Sequence, residues 1–111
     1  MFEDRTVVGL TEELTLCGKD VVARIDSGAT IGSIDQSFVT ACNTEPVGTK
    51  LVKSSHGTTR RDVVELEINL EGKTVIGKFT VFDRSHMTYP ILIGQDVLKQ
   101  GFIIDPNKEE Q

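Results

Sequence analysis

Short alternations of apolar and polar residues, rather than any long apolar run, set the architecture of this chain. Val64, Leu66, Ile68 and Leu70 alternate with Glu65, Glu67 and Asn69, which is the period of two of a half-buried strand. Glu71-Gly72-Lys73 reads as a turn, and Thr74 to Phe82 returns as a second strand. Upstream, the apolar run Val21 to Ile25 ends on Asp26, and a further apolar run, Ile31-Gly32-Ser33-Ile34, begins a few small residues later. Downstream, Pro90 to Ile93 makes a short strand running into Gly94. A helix over Gln95 to Gln100 follows, with Val97 and Leu98 on its inner side. Arg5 to Val8 and Gly101 to Asp105 read as two more short strands. Lys50 to Lys53 and Arg61 to Val64 flank Ser54-Ser55-His56-Gly57-Thr58-Thr59, small and polar enough for a mobile hairpin tip. Asp35 is expected to cap a short helix over Gln36 to Ala41.

These elements predict an all-β, closed, barrel-like domain with one or two short helices. A length of 111 residues supports one core, so residues 1–111 are expected to form a single domain with frayed ends at 1–4 and 106–111. No apolar run is long enough for a membrane-spanning helix, and there is no internal repeat. A net charge of −5 argues against general nucleic-acid binding. No secretory leader is read at the start, so a cytoplasmic chain with reduced thiols is expected: a buried Cys17 and a Cys42 at a helix end. A disulfide between the two stays open. Cys17, Cys42, His56 and His86 lack the spacing of a zinc site, so neither a metal nor another cofactor is expected.

The candidate chemistry lies in Asp26-Ser27-Gly28-Ala29-Thr30. A strand that delivers a carboxylate beside a core incurs a desolvation cost and needs a compensating contact. Gly28 lets the chain reverse tightly and brings its N–H toward the carboxylate, while the Ser27 hydroxyl can donate or accept. Asp-Ser-Gly is also an ordinary turn tripeptide, but here apolar runs flank it on both sides. With the downstream Ile91-Leu92-Ile93-Gly94 element, the turn resembles the active-site region of retroviral-type aspartic peptidases, and the order of parts matches the retropepsin fold.

The motifs Val52 to Gly57, Arg61 to Leu66 and Asp83 to Met87, in order before Pro90 and Gly94, narrow the resemblance. They are similar to cellular retropepsin-like proteins associated with the ribosomal-protein glutamate ligase family of ATP-grasp enzymes, often labelled "ATP-dependent zinc protease". That resemblance implies an aspartic endopeptidase, one that trims glutamate added to protein tails. Asp26, Ser27 and Gly28 would be its catalytic turn. Ala29, Thr30, Ser54, Ser55, His56, Gly57, Ile91 and Ile93 would contact an extended peptide. The chain carries one Asp-Ser-Gly, so the two-carboxylate mechanism implies a two-fold homodimer, with the terminal strands in the interface. Gln95 and Thr30 depart from the viral pattern, in which Arg and an acid support the dimer; here a neutral hydrogen bond is expected in their place. His56 is either a substrate contact or an exposed loop residue, and Lys53, Arg60 and Arg61 are either an attraction for acidic peptide or a solvated surface. The alternatives to a peptidase are a non-catalytic dimerisation or peptide-binding module on the same fold, and a metal-dependent hydrolase.

Overall fold

The computed structural model describes residues 4–108. In chain order the elements are β1 (Thr6–Val8), β2 (Thr11–Leu16), β3 (Lys19–Ile25), β4 (Gly32–Asp35), α1 (Ser37–Ala41), β5 (Gly48–Ser54), β6 (Gly57–Leu70), β7 (Lys73–Phe82), β8 (Ile91–Ile93), α2 (Gln95–Leu98) and β9 (Phe102–Ile104). Seven strands pair in the order β2-β3-β8-β4-β7-β6-β5, and a further β2–β6 pairing closes six of them into a ring. Strand β5 projects beyond the ring with the first half of β6 as a hairpin. The period-two reading of residues 64–70 holds: Val64, Leu66, Ile68 and Leu70 are buried with Leu14, Leu16, Phe79 and Val97. Two-residue turns set the register of the long hairpins. At Glu71-Gly72 φ is 53° and 76°, the left-handed geometry that matches strand twist and that glycine adopts at least cost.

Several expectations are corrected. Helix α2 ends at Leu98 instead of Gln100, because Gln100 N–H bonds to Val97 O in a tighter turn and Gly101 then takes φ 98°. The carboxy-terminal residues 106–108 are not frayed. Lys108 folds back to bond Val7 O and to pair with Glu12 (2.8 Å) and Glu71 (3.1 Å). Asp4 is exposed at the other end; 1–3 and 109–111 lie outside the described residues. The two terminal strands pair with each other in parallel within one chain, Val7 opposite Ile103.

The cysteines are not free thiols. Cys17 is exposed in the turn between β2 and β3, and it is disulfide-bonded to Cys42 at the end of α1. The turn requires positive φ (51° at Cys17, 78° at Gly18), which tips the Cys17 side chain away from the core that the sequence assigned to it. The expected cap at Asp35 forms: Gln36 already has helical angles, and the Asp35 carboxylate accepts the Ser37 N–H at 3.1 Å.

Candidate active site

Strand β3 delivers Asp26 to the mouth of the ring. Its register with β8 is parallel, Ile25 beside Ile93, and the Asp26 N–H continues the ladder to Ile93 O at 2.9 Å. Ile25 points into the core, so the next residue, by strand alternation, faces out, and Asp26 is half-buried. Its Oδ1 accepts the Gly28 N–H at 3.0 Å, the contact expected of the turn. Oδ2 has no hydrogen-bond partner among the described residues and is left for water or a second group.

The turn is clamped from behind. Gln95 N–H donates to Ala29 O at 2.8 Å and Asp96 N–H to Thr30 O at 3.2 Å, so the start of α2 is strapped to the turn. At Gly94 an added Cβ would lie 2.5 Å from the Ile31 carbonyl carbon; only glycine lets β8 pass this close. The neutral hydrogen bond expected between positions 95 and 30 is relocated. Gln95 Nε2 donates to Ser27 O at 2.8 Å, within the turn, and Thr30 contributes only its carbonyl. Asp96, in the first turn of α2, accepts the Lys78 N–H at 2.7 Å and so fixes the helix to β7.

The structure therefore brings Asp26, Ser27, Gly28, Ala29, Thr30 and Gln95 together. Ile91 and Ile93 are corrected: both have no exposed surface, and both are core residues that cannot touch a substrate. The neighbour between them, Leu92, is half-buried and on the other face, level with Arg24 of β3 and Ser33 of β4. A one-residue error in parity exchanges core for cleft. The stretch expected to serve as a flap forms the β5–β6 hairpin, with a two-residue turn at Ser55-His56 between Ser54 and Gly57. Ser54 Oγ accepts the His56 N–H at 3.2 Å, and all four tip residues are exposed. Thr58 and Thr59 belong to the strand instead of the tip. Arg60 is tied to Thr49 Oγ1 across the hairpin, and the Arg61 guanidinium lies 4.8 Å from the centre of the Phe82 ring. Lys53 alone of the three is left as an open surface charge.

The zinc label does not fit these residues. Cys17 and Cys42 are consumed by the disulfide, and no group of three or more His, Cys, Asp or Glu side chains suited to a metal occurs among the described residues. Two clusters of charged groups brace the fold. Hydrogen bonds from Ser37, opposed by burial and helped by the Arg84 N–H, hold the Asp35 carboxyl below its ordinary value. Burial pushes the Glu12 carboxyl up, but Lys108 and the Gly9 N–H outweigh it, and the net direction is down.

The profile of the RimB-like family, described as the retropepsin-like aspartic endopeptidase RimB, matches residues 35–111. The chain belongs to the RimB-like family. The matched span holds the β5–β6 and β6–β7 hairpins, β8 and α2, and begins after the Asp26 turn. Among solved structures, the chain is similar to a Legionella pneumophila protein of unknown function, with 22% identity over 96% of this chain and 97% of that one and a TM-score of 0.71. It is also similar to the simian foamy virus protease, with 27% identity over 80% of this chain and 91% of that one and a TM-score of 0.66. No curated protein sequence matches the chain. The fold of this RimB-like chain is thus the retropepsin fold. Its membership accounts for a strand, turn and glycine arrangement that sequence patterns had suggested one element at a time.

Proposed function

We propose that this RimB-like protein is an aspartic endopeptidase that acts as a two-fold homodimer, with one Asp26 from each copy flanking the catalytic water. The observation that carries this reading is the Asp26 turn itself. Its carboxylate is fixed at Oδ1 by Gly28, open at Oδ2, and clamped from behind by β8 and α2. One copy supplies half of the chemistry. Beside the turn, Leu98, Phe102 and Ile104, together with the cations Arg5 and Lys99, line a shallow hollow of about 430 Å³ into which a second copy can pack. Val7 is also exposed on the neighbouring β1, and pairing would remove this apolar surface from water.

Two carboxylates about 3 Å apart cannot both stay ionised, so the pair shares a proton, as aspartic peptidases in general do. The ionised member accepts a proton from water as it attacks the scissile carbonyl; the protonated member donates toward the carbonyl oxygen. A proton then passes to the leaving amine, and the two carboxyls return to sharing one. The hairpin at Ser54 to Gly57 closes over the extended peptide, with His56 at its tip, and excludes bulk water. The substrate class follows the family resemblance: protein tails carrying added glutamate.

Incubation with glutamate-tailed and unmodified proteins, read by mass spectrometry, tests the activity. Cleavage by the wild-type chain and none above background by Asp26→Asn is expected. Equal cleavage by the variant would remove the assignment, and tight peptide binding without cleavage by either would favour a binding module.

A further inference from the structure

Arg84 is a half-buried guanidinium whose charge has no carboxylate within ion-pairing distance among the described residues; Arg61, the other such side chain, is covered by the Phe82 ring instead. It sits in the segment linking β7 to β8. Its Nε donates to Tyr89 O at 3.0 Å and its Nη1 reaches Ser33 Oγ at 3.4 Å. Asp35 is close in the chain fold, but its carboxylate is engaged by the Arg84 main-chain N–H and by the Ser37 N–H and hydroxyl. Nη2 has no acceptor among the described residues and is not among the buried unsatisfied atoms, so it opens to solvent. Burial lowers the guanidinium's pKa and Asp35 opposes this, which marks a cation partly stripped of water. Partly desolvated charges are ordinarily paired.

Through its contact with Ser33 the guanidinium lies on the face of the strands turned away from the core, where Leu92 is half-buried and Ser33 and Thr80 are themselves covered. Ser33 lies opposite Leu92 on β8 and beside Thr80 on β7; their neighbours Ile34, Ile91 and Phe79 face the core. Asp26 shares the outward parity of Leu92, through Arg24 and the parallel β3–β8 pairing. Two strand spacings and one or two residues of rise put Ser33 about 10–12 Å from Asp26, roughly three residues of an extended peptide.

We infer that Arg84 is a specificity-determining residue that binds a side-chain carboxylate of the substrate, two or three residues from the scissile bond. Tyr89 O and Ser33 Oγ hold the guanidinium plane so that its remaining N–H groups can meet a carboxylate in the fork geometry that lysine cannot reproduce. This rests on the peptidase reading for its substrate but not for its test.

The experiment uses full-length protein carrying Asp26→Asn and peptides blocked at both ends, so that no terminal carboxylate contributes. The peptides differ only in Glu or Gln within three residues of the central bond, and binding is followed by fluorescence anisotropy. The Glu peptide should bind about tenfold or more tightly than the Gln peptide. Arg84→Gln should bring the ratio close to one, and Arg84→Lys should leave an intermediate ratio. Thermal melts report whether each variant is folded. No preference for Glu in the parent, no binding of either peptide, or an unchanged ratio in folded Arg84→Gln would overturn the inference. If wild-type protein cleaves neither peptide while the Glu preference depends on Arg84, the peptidase reading fails and the carboxylate site stands.

Discussion

Asp35 and Asp26 lie nine positions apart and are held for different ends. Asp35 is nearly buried and takes three hydrogen bonds, two from Ser37 and one from the Arg84 N–H, which join α1, β4 and the segment after β7. Its folded pKa lies below the unfolded value of 3.8, so its contribution to stability is complete above that pH. The contribution is lost as the pH falls through the lower folded value. Denaturant midpoints taken across that range should fall in wild type, and the Asp35 part of the fall should be missing in Asp35→Asn, which is less stable at neutral pH. Asp26 has a single internal hydrogen bond and an open oxygen, so Asp26→Asn should fold normally while losing activity. Gly94→Ala is the opposite case. Its methyl would collide with the Ile31 backbone, and a loss of roughly 1–3 kcal/mol is expected in urea unfolding.

At the scale of elements, the disulfide is the feature with the largest expected effect. It joins the β2–β3 turn to the end of α1 across 25 residues, and a loop of that length is worth about 3.5 kcal/mol in the chain-entropy account. Cys42→Ser, or reduction of wild type, should lower the thermal midpoint without altering the sheet's far-ultraviolet signal. The disulfide was legible in the sequence only as an open alternative, because spacing alone does not say which way a turn residue points. Periodicity served best where strands are long: residues 64–70 fell on their expected faces, and 74–82 returned as the expected strand. In β8, with three residues, it could not fix parity, and Ile91 and Ile93 were read as cleft residues because both neighbours of Leu92 are equally apolar. Arg84 was invisible for another reason. Its significance comes from Ser33 and Asp35, which are distant in sequence and brought to it by pairing between strands, with Tyr89 of its own segment completing the set.

At the scale of the molecule, the proposed division of the site between two copies would make activity depend on association. Specific activity should fall on dilution below the dimer dissociation constant, and sedimentation measured over the same range should follow it. An active species that sediments as a monomer would contradict the shared-aspartate mechanism. Mixing gives a sharper measurement: with Asp26→Asn protein in excess, each wild-type chain is sequestered in a mixed pair with one carboxylate. Activity should then fall below simple dilution of the active chain. Gln95 is bonded within its own turn to Ser27 O, so it adds no charge pair between copies, and weak, concentration-sensitive pairing is the expected regime.

The shortest strand of the sheet has a practical consequence for anyone wishing to retarget this protein. Ile91 and Ile93 are sealed in the interior while Leu92 looks outward. A library randomised at position 92 alone should yield well-behaved proteins with shifted peptide preferences, whereas libraries at 91 or 93 should mostly yield insoluble material.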